Sequence, residues 1–280
     1  MLKKDKFSDK ADVLTEAIPY FLKFANKIFV VKIGGKIVDD NEVLESIAED
    51  IVLLSLVGIR PVVVHGGGKE INRLLEKAGI KSEFKEGIRK TTDEIMEFVE
   101  MGLDGIVNGR IVSAICKKGG KALGMSGRDG FSIISEPIEG RVGRIKRVNT
   151  NMIEKILSSG FIPVISSVTV TEDGKSMNTN ADEVACELSI SLSAEKLIIL
   201  TDEEGIKDEK GEIIKSISKE RAEELIKNGV ISGGMIPKIR MAIKSVENGV
   251  RKVHIISGFI EHSILLEIFT DEGIGTEIIK

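Results

Sequence analysis

Two short apolar runs, each ending in glycines, constrain this chain more than any other feature. The first is Phe29-Val-Val-Lys-Ile-Gly-Gly-Lys36 and the second is Pro61-Val-Val-Val-His-Gly-Gly-Gly-Lys69. β-Branched and aromatic residues in a short run, closed by a turn signal, read as buried strands. Residues at helical spacing follow each run. Strand, glycine turn and helix, repeated, fit an open parallel sheet that binds ligands at the carboxyl ends of its strands. Glycine lets the backbone approach a ligand, and helix amino ends offer free N–H groups to an anion. Lys32 is the anomaly, a lysine inside a buried strand. Alone it fits a snorkelling edge-strand residue as well as it fits a site. The recurrence of the design at Pro61–Lys69 favours the site.

The rest of the chain extends the alternation. Strands are expected at 28–33, 61–65, 161–166, 168–170, 196–200, 252–256 and 276–279, with shorter β-runs at 121–124, 131–135 and 142–146. Helices are expected at 41–57, 68–78, 93–101, 104–118, 150–159, 181–193, 218–228, 235–248 and 262–269. Asp40 or Asn41 and Thr92 are candidate N-caps, and Gly58 a helix-closing glycine. Residues 84–92 read as a loop or hairpin. The fold class is therefore α/β, a three-layer αβα sandwich around an open, mainly parallel central sheet. A boundary near residue 172 would divide an amino-terminal lobe, 27–172, from a carboxyl-terminal lobe, 173–280, on one continuous sheet.

Residues 1–26 form a separate, kinked helical extension in this reading. Val13, Leu14, Ala17, Ile18, Phe21, Leu22 and Ala25 make one apolar stripe, and Pro19 should kink or split the helix. The stripe must bury itself on its own subunit or on a neighbour, and the pattern leaves both open.

Composition narrows the function classes. With 280 residues and 42% apolar content, the chain can bury a large core and is not extensively disordered. Its net charge of -4 lacks the basic footprint of a nucleic-acid binder. No apolar run reaches the roughly 18–20 residues of a membrane helix, and the lysine-rich start has no secretory pattern. Cys116 and Cys186 have no metal-ligand spacing and read as small buried hydrophobes in a reducing compartment. A cytoplasmic protein is expected, binding neither nucleic acid nor membrane.

Charge and glycine collect at four element ends: Lys32 with Gly34 and Gly35, Gly66 to Gly68, Asn178 to Asp182, and Gly233 to Lys238. Two lysines, a carboxylate and several helix amino ends suit a polyphosphate, because phosphoryl transfer needs positioning and positive charge more than covalent help. Each piece alone has a plain reading: a turn, an N-cap at Asp182, a solvated lysine at Lys238. The Walker and Rossmann glycine patterns are absent.

Six motifs occur in order: Val31-Lys-Ile-Gly-Gly35, Val64-His-Gly-Gly-Gly68, Gly87-Ile-Arg-Lys-Thr91, Met177-Asn-Thr-Asn-Ala-Asp182, Leu200-Thr-Asp202 and Gly234-Met-Ile-Pro-Lys238. Together they resemble the amino acid kinase family, and within it the acetylglutamate kinases, from about residue 12 to 280. The resemblance implies ATP-dependent phosphorylation of the side-chain carboxylate of N-acetyl-L-glutamate, the second step of arginine biosynthesis. It implies that Lys32 and Lys238 stabilise the transferring phosphoryl group and that Asp182 orients both. Gly35 and Gly67 would donate N–H bonds there, and Gly67, Gly68, Arg89, Asn178 and Asn180 would hold the acyl amino acid. The nucleotide would lie near Thr201, Asp202, Gly205, Lys207 and Gly233. Mg²⁺ would be held mainly by ATP phosphates, with no protein metal ligand.

The extension and the ending after His262 resemble the arginine-inhibited branch of that family. This implies a homohexamer built as a trimer of dimers, L-arginine bound near Lys207, Glu267 and Gly273, and a nitrogen-signalling regulatory protein as a further partner. The Asp-Gly-Arg common near Ser257-Gly-Phe259 is missing here. Two alternatives are an N-acetyl-aminoadipate kinase of lysine biosynthesis, since one methylene is worth only about 1–3 kcal/mol, and a non-catalytic arginine or nitrogen sensor. The sensor reading predicts a broken Lys32–Asp182–Lys238 set, and all three residues are present.

Overall fold

A computed structural model describes residues 12, 14–85 and 88–280. Val13 of the apolar stripe, Gly87 of the Gly-Ile-Arg motif and residues 1–11 lie outside the described residues. The strands are β1 Ile28–Ile33, β2 Arg60–His65, β3 Phe84–Lys85, β4 Ile88–Arg89, β5 Ala122–Met125, β6 Ile133–Glu139 and β7 Val142–Val148, then β8 Ile162–Ser166, β9 Val168–Val170, β10 Ser176–Asn178, β11 Lys196–Thr201, β12 Ser216–Ser218, β13 Lys252–Ser257 and β14 Thr276–Ile279.

Among the described residues, eight strands form one sheet in the order β12-β14-β13-β11-β1-β2-β8-β5, parallel throughout except where β14 runs against β13. The glycine-bounded strands β1 and β2 are central neighbours, with Lys32 opposite Val64 and Ile199. Strand β11 on the other side of β1 carries the sheet from one expected lobe into the next. Strands β6, β7, β9 and β10 close into a small barrel. The hairpin of β9 and β10 spans residue 172.

Side chains alternate across the central strands, as the pleat requires. Val30, Val62, Val64, Leu197 and Ile199 join one core, under helices Asn151–Ser158, Ala181–Ser191, Lys219–Lys227 and Met235–Glu247. Phe29, Val31, Ile33, Val63, Ile198 and Leu200 join the other, under helices Asn41–Leu56, Asn108–Lys117 and Ser263–Phe269. Three αβα layers follow. Lys32 shares the parity of Val30, so it faces the layer that contains Ala181–Ser191. A third core, with Ile71, Leu75, Val99 and Leu103, joins helices Gly68–Lys77 and Asp93–Glu100.

Local chemistry sets the boundaries much as expected. Asp40 accepts hydrogen bonds from the N–H groups of Glu42 and Val43, and Thr92 from Ile95. Gly58 closes helix Asn41–Leu56 with φ +87°. The expected helices 93–101 and 104–118 are one continuous helical stretch, joined by a π-helical segment, Met101–Val107. Gly102 weakens a helix by propensity, but Gly102, Leu103 and Val107 are buried and hold the segment in place. Strands β10 and β12 were not foreseen, since each offers one apolar residue, Met177 or Ile217, between polar ones.

One expectation is corrected: Cys186 is buried, but Cys116 is exposed on helix Asn108–Lys117. The apolar stripe of the extension is only partly docked on its own chain. In helix Ile18–Phe24, Pro19 occupies the first turn, where a missing N–H costs little. Phe21 of the stripe packs edge-on to Phe269, and Phe24, outside it, to Phe29, each at 5.2 Å between ring centroids. Leu14, Ile18 and Leu22 stay exposed. Among the described residues no helix is long and apolar enough to cross a membrane.

Candidate active site

The two glycine turns meet. A Cβ placed on Gly35 would lie 3.7 Å from the amide nitrogen of Gly68 and 3.8 Å from Cα of Gly67. Helix Gly68–Lys77 begins at this junction without a side-chain cap, so its first N–H groups are available to an anion. Gly67 is fixed from behind, since a Cβ there would come within 2.7 Å of Leu103 and 2.8 Å of Val107 on the π-helical segment.

Three charged side chains converge beside this junction. Lys32 Nζ lies 2.8 Å from Asp182 Oδ1, with both side chains more than nine-tenths buried. Lys238 Nζ lies 3.6 Å from Asp182 Oδ2 and donates to the Gly234 carbonyl at 3.2 Å. The Lys32 contact is a charge contact, not a well-directed hydrogen bond. Burial would raise the Asp182 carboxyl, but the Lys32 and Lys238 ammonium groups outweigh it and hold Asp182 below the usual carboxylate range. The N-cap of helix Ala181–Ser191 is Asn180, whose Oδ1 accepts from the Asp182 N–H at 2.8 Å. The cap leaves the Asp182 side chain free to serve the lysines.

On one side of this trio is a pocket of about 230 Å³ lined by Gly66, Gly67, Gly68, Arg89, Asn178 and Asn180, with Ile71 and Leu103 below. Arg89 is buried and stacks over Phe84, its guanidinium 4.6 Å from the ring centroid. It donates to Ser82 Oγ, to the Gly68 carbonyl at 3.1 Å and to Asn72 Oδ1 at 2.6 Å. Among the described residues its partners are neutral. Burial lowers its pKa. A desolvated guanidinium favours a carboxylate ligand. Asn178 Nδ2 donates to Thr91 Oγ1 at 3.0 Å, which fixes its amide at the rim.

On the other side is a cleft of about 430 Å³ lined by Thr201, Asp202, Gly205, Lys207, Ile231 and Lys238. Gly233 lies between two lining residues, with φ +57°. Lys36, next to Gly35, donates to Asp202 Oδ2 and ties the β1 turn to the end of β11.

Two of the expected effector residues are neighbours. Glu267 and Gly273 adjoin: the glycine approaches the Glu267 carboxylate, which accepts from the N–H groups of Ile274 at 2.8 Å and Gly275 at 3.1 Å. Lys207 lines the 430 Å³ cleft, 4.0 Å from Glu204. The groups beside Glu267 are ones the sequence reading missed. His254 Nδ1 lies 2.6 Å from Glu267, and Lys196 Nζ lies 3.1 Å from His254 Nε2. Burial pushes the Lys196 ammonium down to about 8. Its signal was a lysine heading an apolar strand, as Lys32 is a lysine inside one.

Residues 27–257 match the amino acid kinase family. The acetylglutamate kinase of Aquifex aeolicus is 51% identical over 96% of this chain and 97% of its own length. A solved N-acetylglutamate synthase from Neisseria gonorrhoeae, complexed with coenzyme A and N-acetyl-glutamate, superposes with a TM-score of 0.87 at 28% identity, over 99% of this chain and 64% of that one. A second structure of that synthase, complexed with coenzyme A and L-arginine, gives 0.85 at 27% identity, over 99% and 66%. The chain belongs to the amino acid kinase family, and within it to the acetylglutamate kinases.

Proposed function

We propose that the protein transfers the γ-phosphoryl group of ATP to the side-chain carboxylate of N-acetyl-L-glutamate, giving N-acetyl-L-glutamyl 5-phosphate and ADP, the second step of arginine biosynthesis. The observation that carries this reading is the Lys32–Asp182–Lys238 trio standing between two clefts. A carboxylate oxygen of the substrate attacks the γ-phosphorus, and the bond to the β,γ-bridging oxygen breaks. Lys32 and Lys238 meet the charge on the transferring oxygens, and Asp182 keeps both ammonium groups aimed. Gly35 and Gly67 donate backbone N–H groups to the same oxygens. Gly67, Gly68, Arg89, Asn178 and Asn180 hold the acyl amino acid, with Arg89 on its α-carboxylate.

The nucleotide takes the larger cleft, along Thr201, Asp202, Gly205, Lys207 and Gly233. Asp182 is already engaged by two ammonium groups, so a Mg²⁺ would ride on the phosphates and neutralise their charge. The domain roles follow: 27–172 for acyl amino acid, 173–280 for nucleotide. A cytoplasmic location accords with a substrate of this kind.

Regulation by L-arginine is part of the reading. The synthase complexed with L-arginine is the supporting likeness, and Glu267 with Gly273 is the place in this chain. Lys207 belongs with the nucleotide. The exposed Leu14, Ile18 and Leu22 support a role for the extension in joining subunits, as a hexamer of three dimers. A nitrogen-signalling protein partner is a further element of the same reading.

The test is ATP-dependent acyl phosphate formation trapped with hydroxylamine, offering N-acetyl-L-glutamate, N-acetyl-L-aminoadipate and free L-glutamate, with and without L-arginine. Preference for N-acetyl-L-glutamate, inhibited by arginine, supports the reading. Preference for the longer acid moves the protein to lysine synthesis. No turnover, in folded protein that still binds arginine, supports a sensor. Removal of residues 1–26 should leave a smaller oligomer with weakened inhibition, and an unchanged, fully inhibited hexamer refutes that role.

A further inference from the structure

His65 is a fully buried imidazole at the carboxyl end of β2, immediately before the glycine turn. Its Nδ1 lies 3.0 Å from the Gly66 carbonyl oxygen, which can only accept, so Nδ1 carries the proton. Its Nε2 lies 3.0 Å from Asn108 Nδ2, which can only donate, so Nε2 is bare. Asn108 is clamped in turn. Its Nδ2 also donates to the Val164 carbonyl at 2.9 Å. A Cβ on Gly124 would fall 1.9 Å from Asn108 Oδ1, so that glycine makes the room the amide needs. Asn108 directly follows the π-helical segment whose Leu103 and Val107 back Gly67. Burial pushes the imidazole down to about 4, which keeps it neutral, with one fixed tautomer, in any ordinary buffer.

We propose that His65 is a positioning residue for phosphoryl transfer. Its Nδ1–H holds the Gly66 carbonyl back toward the sheet, and Asn108 holds the ring, so that the Gly67 and Gly68 N–H groups face the transferring phosphoryl group. Among the described residues, neither N–H has a backbone acceptor. The Gly66 carbonyl would otherwise be free to rotate its oxygen toward a trianionic ligand. The chain thus sets the turn from behind, through strand, ring and helix, with no side chain in the cleft.

This role rests on the phosphoryl-transfer reading, and two measurements separate the two. ¹⁵N NMR of the unaltered protein reads the ring directly: protonated Nδ1 and bare Nε2 are expected, and the opposite tautomer overturns the proposal even in a fully active enzyme. Absence of activity in the unaltered protein would instead sink the phosphoryl-transfer reading. The second measurement compares His65→Gln with His65→Asn. Glutamine reaches toward Asn108 but loses the donor to Gly66, and kcat should fall about 100-fold, as for a turn misplaced by about an ångström, with KM for ATP unchanged. Asparagine presents its amide where Nδ1 stood and should recover about tenfold or more of that loss. Equal losses in the two variants, or a larger loss with asparagine, overturn the proposal. If either variant fails to fold, the tautomer alone decides.

Discussion

Lys32 Nζ and Asp182 Oδ1 stand 2.8 Å apart, a contact between the next-to-last residue of the central strand β1 and the first turn of helix Ala181–Ser191. The pleat sends Lys32 to the side where that helix lies, and the Asn180 cap fixes where the helix begins. Lys238 reaches the other carboxylate oxygen from the amino end of Met235–Glu247. One buried acid therefore registers a strand and two helices. It lets two cations approach each other, at the place where the proposed reaction would pass an anionic group between the clefts.

Replacing Asp182 with asparagine keeps the shape and removes the charge. The kcat should fall by about 10²–10³, the usual loss for a preorganised electrostatic group. Breaking a buried pair costs about 3–5 kcal/mol, and the partial exposure of Lys238 places this case at the low end. Asp182 has a depressed folded pKa, so its contribution to stability is present above the ordinary carboxylate value near 3.9 and is lost as pH falls through the lower folded value. Urea titration and the hydroxylamine assay read both effects. A kcat close to that of the parent would remove Asp182 from the mechanism.

Arg89→Lys keeps a cation but loses the planar fork and its stacking on Phe84. Charged hydrogen bonds are worth about 1.5–3 kcal/mol, so KM for the acyl amino acid should rise roughly ten- to a hundredfold. KM for ATP should stay where it was. Steady-state kinetics with each substrate varied in turn decides the matter, and parallel rises in both constants would place Arg89 outside the acyl pocket.

The scaffold was legible because strand parity and glycine turns are local signals. Phe29–Lys36 and Pro61–Lys69 carried both, and they became the central strands with their turns in contact. The residues that converge from far apart in sequence were legible through motifs, as with Lys32, Asp182 and Lys238. What stayed hidden depended on packing. Gly102 and Gly105 weaken a helix by propensity, yet burial of Leu103 and Val107 carries the helix through as a π-helical segment. Asn108 looks like any polar helix residue until the fold sets it against His65. Lys196 and His254 lie on adjacent strands, and only their pairing with Glu267 gives them meaning.

The Asp50–His262 pair makes stability depend on pH. His262 Nδ1 lies 2.7 Å from Asp50 Oδ1, and Asp50 Oδ2 accepts from the Ile264 N–H at 3.2 Å. A buried acid from helix Asn41–Leu56 thus caps helix Ser263–Phe269. Burial pushes Asp50 up to about 6, while the hydrogen bond to Asp50 raises His262. Both groups bind protons more tightly in the folded state. The Asp50 contribution falls as pH rises from about 4 to about 6. The His262 contribution is complete below its unfolded value near 6.5 and is lost as pH rises through the raised folded value. Tm should therefore decline as pH rises above about 6.5, and His262→Gln should flatten that decline. A slope unchanged in the variant would assign it to other groups.

Gly67 and Leu103 share one space, and that makes their substitutions interdependent. A Cβ on Gly67 would stand 2.7 Å from Leu103 Cδ2 and 2.8 Å from Val107 Cγ2. Gly67→Ala should cost about 1–3 kcal/mol through overpacking. It should also lower kcat by about 100-fold, because relief pushes the turn toward the cleft. Leu103→Ala alone leaves a cavity worth about 2–5 kcal/mol. In the double variant the added methyl has room, so the two stability losses should fall short of their sum by about 0.5–3 kcal/mol. The kcat should recover in step, because the turn can return to its place. A double-mutant cycle on urea stability and kcat measures both quantities. Strict additivity in each would mean that the π-helical segment does not set the glycine turn.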